Sequence, residues 1–129
     1  SEPAYPFAFG LSYTTFEYSA LKVLPGDGGK VHARVRVEVK NTGRYEGEEV
    51  VQLYVRDEAA SITRPVKELK GFEKIALKPG ESKEVVFDIT DEQLGFYDNR
   101  MNFVVEKGDF TFMVGTNSRD VDSVSYTLL

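Results

Sequence analysis

The stretch Val31-His32-Ala33-Arg34-Val35-Arg36-Val37-Glu38-Val39-Lys40 decides the fold. Val31, Ala33, Val35, Val37 and Val39 share one face, and His32, Arg34, Arg36, Glu38 and Lys40 share the other. Strand side chains alternate across a sheet, so this period predicts an antiparallel strand with one dry face and one wet face. The pattern recurs on both sides. Residues 16–23 form a first strand with Phe16 and Tyr18 on one face, and residues 49–56 turn Val51, Leu53 and Val55 inward. Residues 82–90 do the same with Val85, Phe87 and Ile89, and residues 109–116 with Phe110, Phe112 and Val114. Residues 121–128 close the fold through Val124, Tyr126 and Leu128. Residues 67–77 carry Leu69, Phe72, Ile75 and Leu77, with a slip in spacing near Gly71 that predicts a bulge or bend. Residues 103–105 add a short extra strand.

Turn chemistry separates these runs. Pro25-Gly26-Asp27-Gly28-Gly29 reads as a flexible hairpin-like loop. Asn41-Thr42-Gly43, Lys78-Pro79-Gly80-Glu81, Lys107-Gly108-Asp109 and Thr116-Asn117-Ser118 read as tight turns. Asp91-Glu92-Gln93-Leu94 reads as one helical turn capped by Thr90 or Asp91. About seven short strands at this spacing predict an all-β Greek-key sandwich of the immunoglobulin or fibronectin type III kind. Two stretches stand apart. Residues 1–14 are rich in Pro, Gly and aromatics, and residues 57–66 make the longest polar connection. We expect residues 1–14 to form an arm or interdomain linker and residues 15–129 the sandwich.

The chain has 129 residues, the size of one domain with a core of its own. Its net charge of -5 argues against a phosphate-backbone footprint, and no Lys/Arg cluster marks a nucleic-acid face. It has no cysteine, which excludes disulfides, zinc thiolate sites and thiol nucleophiles. No apolar run approaches the ~20 residues of a membrane-spanning helix. Ser1 rather than Met at the start leads us to expect a piece of a longer chain.

Chemistry-bearing residues are sparse. The single histidine, His32, falls on the outward face with no serine elbow beside it, so it reads as a surface residue and not as part of a triad. The acidic pairs Glu48/Glu49, Asp57/Glu58, Asp91/Glu92 and Asp120/Asp122 sit at turns or strand ends, where solubility and capping explain them. None shows calcium-loop spacing. No cofactor or metal is therefore expected. Sugars stack on exposed aromatic rings, but Phe16, Phe72, Phe87, Phe110 and Phe112 read as core. Tyr5, Phe7, Tyr45, Tyr54 and Tyr97 remain as surface platforms. The aromatic arm, with Tyr5, Phe7, Phe9 and Tyr13, and the loop residues Arg64 and Lys67 have the side-chain types favoured in interface cores. They are the candidate interdomain contacts.

The stretch from Tyr5 to Phe16 resembles the entry of the fibronectin type III-like module at the C-terminal end of family 3 glycoside hydrolases. It has Ala8 where that family usually has Gly, and Phe9 where Tyr is common. Arg64-Pro65-Val66-Lys67-Glu68-Leu69-Lys70-Gly71-Phe72 is similar to that family's second signature. Further blocks match in the family's order: residues 35–43, 50–55, 77–82, 96–98 and 105–110. The resemblance implies a parent enzyme, β-glucosidase-like or β-xylosidase-like, with a barrel and an α/β sandwich before this module. It implies a nucleophilic Asp from the barrel and an acid/base Glu from the sandwich domain, so no catalytic residue transfers to this chain. The partners it implies are the preceding catalytic domains, with oligosaccharide near the loops in some members. A carbohydrate-binding module and an adhesion-type sandwich are the competing readings.

Overall fold

The computed structural model describes residues 13–59 and 65–129. The expected sandwich is present. Strands β1 (Phe16–Pro25), β2 (Ala33–Asn41) and β5 (Ser82–Ile89) form one sheet in the order β1-β2-β5. Strands β3 (Gly47–Asp57), β4 (Glu68–Leu77), β8 (Gly108–Gly115) and β9 (Val121–Leu128) form the other in the order β4-β3-β8-β9. A single-turn helix α1 (Asp91–Leu94) and a two-stranded hairpin, β6 (Phe96–Tyr97) with β7 (Phe103–Val104), lie between β5 and β8. All pairings are antiparallel.

The alternating residues meet between the sheets. Ala33, Val35, Val37 and Val39 of β2 join Val85, Phe87 and Ile89 of β5, against Val51, Leu53, Val55, Phe110, Phe112 and Val114 of the other sheet. Fully burying a side chain of this size stabilises by roughly 1.5–3 kcal/mol. Phe16, Tyr18, Leu21, Val23, Val124, Tyr126 and Leu128 complete the packing while half-buried.

One expected core residue is not in the core. Phe72 is 69% exposed, and Leu69 beside it is also exposed. The pairing of β3 with β4 slips between Leu53/Tyr54, where Gly71 faces Leu53 and Leu69 faces Tyr54. Gly71 shares the inward parity of Ile75 and Leu77, where a Cβ would meet Phe87 and Leu53, so Phe72 points outward by simple alternation. The bulge lies beyond Gly71, and its effect is to turn Leu69 outward as well. His32, expected within a strand, lies just before β2, though its N–H still pairs with Ile89 O at 2.8 Å.

The turns follow their residues. Gly80 has φ +81, and Glu81 N–H closes on Lys78 O at 2.9 Å, the geometry of a Pro-Gly type II turn. That turn carries the chain from β4 in one sheet to β5 in the other. Thr90 caps α1 in a capping box with Gln93.

The polar centre of the fold is Asn41, the last residue of β2 and fully buried. Its amide donates to Tyr45 O and Leu77 O, both at 2.8 Å. Its carbonyl oxygen accepts from Thr14 Oγ1 at 2.7 Å and from Gly43 N–H at 2.9 Å. Both donors and both lone pairs are used. Asn41→Ala should destabilise the chain by about 3 kcal/mol, because two buried carbonyls lose their donor. Urea unfolding checks this: the midpoint should fall with the slope unchanged. Asn41→Asp should be worse at pH 7 than at pH 4, since an ionised carboxylate would face two carbonyl oxygens.

Candidate interaction surface

Strand β3 runs through the middle of the four-stranded sheet and ends in an inward-facing carboxylate on each side. Glu49, Val51, Leu53, Val55 and Asp57 share its inner face. At the first end Glu49 Oε2 accepts from Tyr18 OH and from Thr116 Oγ1, each at 2.6 Å. Burial, reinforced by the Glu49 carboxylate, pushes the Tyr18 phenol far above its ordinary value. This triad ties β1 to the start of the β8–β9 turn and is satisfied.

The second end differs. Asp57 is 9% exposed. Its Oδ1 accepts from Ala59 N–H at 2.8 Å, but its buried Oδ2 has no hydrogen-bond partner. Burial raises its carboxyl above the ordinary range, and the Glu106 and Glu58 charges add to that, against the pull of the Ala59 bond. Buried polar atoms are nearly always paired, so this one needs a reason. Asp57 lines a cavity of about 320 Å³ together with Val55, Val66, Glu68, Lys70 and Tyr97. Leu94, Gly95 and Phe96 complete its apolar lining from α1 and the hairpin.

The hairpin sets the cavity's rim. The Phe103 ring lies where a Cβ on Gly95 would have to stand, 2.3 Å from its Cε2, so only glycine fits there. Tyr97 meets Phe103 edge-on at 5.2 Å. At the hairpin tip Met101 holds φ +65, strain for a side chain that is also highly exposed. Asp98 Oδ1 supports the tip by accepting from Arg100 N–H and Asn102 N–H at 2.8 and 2.9 Å.

The candidates from sequence divide. Tyr5, Phe7, Phe9 and Arg64 lie outside the described residues. Tyr13 is exposed and leads into the three-stranded sheet. Lys67 leads into β4, donates to Ser118 O and sits over the Tyr54 ring at 5.8 Å. The structure therefore places Tyr13 and Lys67 at the approaches to different sheets. His32 Nε2 pairs with Asp91 Oδ1 at 2.7 Å, beside Thr90 and Lys30. Among the described residues no group of three His, Cys, Asp or Glu could hold a metal ion. Glu49 and Asp57, read from sequence as surface acids, are the residues missed. Their parity with Val51, Leu53 and Val55 was the available signal.

Residues 49–118 match the family model described as fibronectin type III-like domain. The chain is 48% identical over 130 residues to a protein named periplasmic beta-glucosidase from Salmonella typhimurium, covering 98% of this chain and 17% of that one. It is 47% identical over 132 residues to a protein named beta-xylosidase from Formosa agariphila, covering 98% and 18%. Among solved structures, the GH3 beta-glucosidase of Bifidobacterium adolescentis superposes with a TM-score of 0.80 at 40% identity, covering 96% of this chain and 18% of that one. The chain thus spans less than a fifth of the length of the relatives it matches.

Asp57 makes a testable link between the cavity and stability. A carboxyl whose folded pKa is raised contributes stability that is complete below its unfolded pKa and is lost as pH rises through the folded value. Asp57→Asn keeps the acceptor for Ala59 and removes the charge. At pH 7 the Asn variant of the 129-residue chain should be more stable than wild type by about 1 kcal/mol. The gap should close as pH falls below the folded pKa of Asp57. Urea unfolding across the acid range checks both the sign and the closure.

Proposed function

Because this chain belongs to the fibronectin type III-like domain family found in family 3 glycoside hydrolases, we propose that it is the non-catalytic sandwich domain of such an enzyme. Its parent hydrolyses terminal β-linked sugars, and this domain packs against the catalytic domains of the same chain, with its loops near the substrate entrance. The observation that carries this reading is one of proportion. The whole chain aligns at nearly half identity with less than a fifth of proteins named for glycosidase activity. The chain's own chemistry agrees. His32 pairs with Asp91 beside Thr90, whose hydroxyl is spent in the α1 capping box, and Glu49 is consumed by Tyr18 and Thr116.

Carbohydrate binding is the reading set aside. The two most exposed tyrosines among the described residues, Tyr45 and Tyr97, flank opposite ends of β3. An 11-residue strand holds them about 30 Å apart, too far for neighbouring sugar rings. Tyr5 and Phe7 lie outside the described residues, and Tyr54 is covered by Lys67.

Two measurements test the proposal. The 129-residue chain should show no turnover of an aryl β-glucoside; turnover would sink the non-catalytic assignment. Phe7→Ala and Arg64→Ala should each lower the melting temperature of the full-length parent by a few degrees, as loss of ~1–2 kcal/mol at an interface would. The same changes should leave the melting of the isolated chain unmoved. An unchanged parent would remove the arm and Arg64 from the interface.

A further inference from the structure

The unpaired oxygen of Asp57 identifies what the cavity is built to receive. We propose that the cavity over Asp57 takes one basic side chain, a guanidinium or ammonium group, presented by the catalytic part of the parent chain. The inference rests on the packing reading above and specifies one contact within it.

Charge chooses the occupant. The carboxylates of Asp57 and Glu68 line the cavity, and Glu58 and Glu106 act on Asp57 from nearby. An anion is excluded by this field. The one cation among the described lining residues, Lys70, is already engaged. Its Nζ donates to Gly95 O at 3.2 Å, lies 3.8 Å from Glu68 Oε1 and rests over the Phe103 ring at 5.9 Å. It does not reach the vacant valence of Asp57. A sugar would need several convergent polar groups. The remaining lining amide, Gln93, is spent: its Oε1 accepts from Thr90 N–H and Thr90 Oγ1, both at 2.8 Å, and its Nε2 turns to Glu92. One buried anionic oxygen with a second carboxylate, Glu68, on the same lining suits a single cationic donor.

Shape and rim agree. The volume of about 320 Å³ admits the end of an Arg or Lys side chain. Val66 and Tyr97 stand at its mouth, 59% and 65% exposed. Aliphatic stem and aromatic ring are the surfaces on which Lys and Arg stems lie and guanidinium planes stack. A desolvated carboxylate ringed by apolar groups has the form of an interface hot spot. In the isolated chain the carboxylate is a liability; with a basic side chain seated it becomes a charge-assisted bond shielded from water.

Hydrogen exchange on the full-length parent, compared with the 129-residue chain, tests this. Amides of residues 66–70 and 94–97 should exchange at least about thirty-fold more slowly in the parent, and Asp57→Asn should abolish most of that protection, as loss of one partner of a buried charge pair does. If another surface of the domain is protected and these segments are not, the inference falls and the packing reading stands. Protection of these segments that survives Asp57→Asn has the same consequence. If no surface of the domain is protected, both fall. Ethylguanidinium is an independent probe on the 129-residue chain. Titrated through the millimolar range, it should shift the Gly95 and Tyr97 amide resonances saturably in wild type and not in Asp57→Asn. No saturable shift in wild type overturns the inference. So does a shift that appears only in Arg64→Ala, because the chain's own arginine would then be the occupant.

Discussion

The sandwich depends on one buried amide. Asn41 reaches Thr14 before β1, Gly43 and Tyr45 in the turn after β2, and Leu77 at the end of β4. Its backbone extends the tie: Asn41 N–H donates to Glu81 O and Asn41 O accepts from Gly80 N–H, at 2.9 and 2.8 Å. Thus the entry to the first sheet, the crossing from β2 to β3 and the crossing from β4 to β5 are held at a single residue. Hydrophobic burial drives the sheets together but is indifferent to direction. The amide supplies the direction, since each of its hydrogen bonds has only one geometry that closes. Asp in its place would turn an acceptor toward two carbonyls, and Ser lacks the donors, so the position asks for asparagine on chemical grounds.

The opposite economy holds along β3. Glu49 and Asp57 have the same parity and face the same interior, yet only Glu49 has partners for its buried oxygen. The difference comes from what surrounds each end. Beside Glu49, the β1 and β9 edges of the two sheets close together and bring Tyr18 and Thr116 within reach. Beside Asp57 the sheet opens toward α1 and the β6–β7 hairpin, and a cavity takes the place of a hydroxyl. The same strand therefore carries a structural carboxylate at one end and an unspent one at the other.

How far the sequence reveals this follows from the same physics. Strand β2 was legible because it buries one face over its whole length, and β5 and β8 because each does so over part of it, and alternation records burial. β4 was legible as a strand and misleading in detail. Phe72 has the opposite parity to buried Ile75 and Leu77 and so faces outward, and the bulge between Gly71 and Leu69 turns Leu69, which shares their parity, to the open surface as well. The β6 and β7 strands have two residues each, too few for any period to show. The role of Asp57 was invisible for a different reason. Its parity was readable, but whether a carboxylate finds a donor depends on residues distant in sequence, and a pattern of polar and apolar letters does not encode that. Of the interdomain candidates, Tyr13 and Lys67 fall within the described residues, and both occupy approaches to strands rather than the strands themselves.

The two outer faces of the sandwich are not equivalent, and the asymmetry bears on how such a domain would sit on a partner. The three-stranded sheet carries charged pairs across its outer face, Arg34 with Asp88 at 3.2 Å and Arg36 with Glu84 at 3.1 Å. Such exposed pairs contribute little to stability, but they keep a face wet, and desolvating them against another protein has a cost. The other sheet also carries a charged pair, Lys74 with Glu48 at 3.2 Å, but it shows Leu69 and Phe72 along β4, with Val66 and Tyr97 exposed nearby. The bulge turns Leu69 to that surface, where alternation along β4 already places Phe72. Covering the β4 and hairpin side would bury these apolar groups without desolvating the Arg34 and Arg36 pairs.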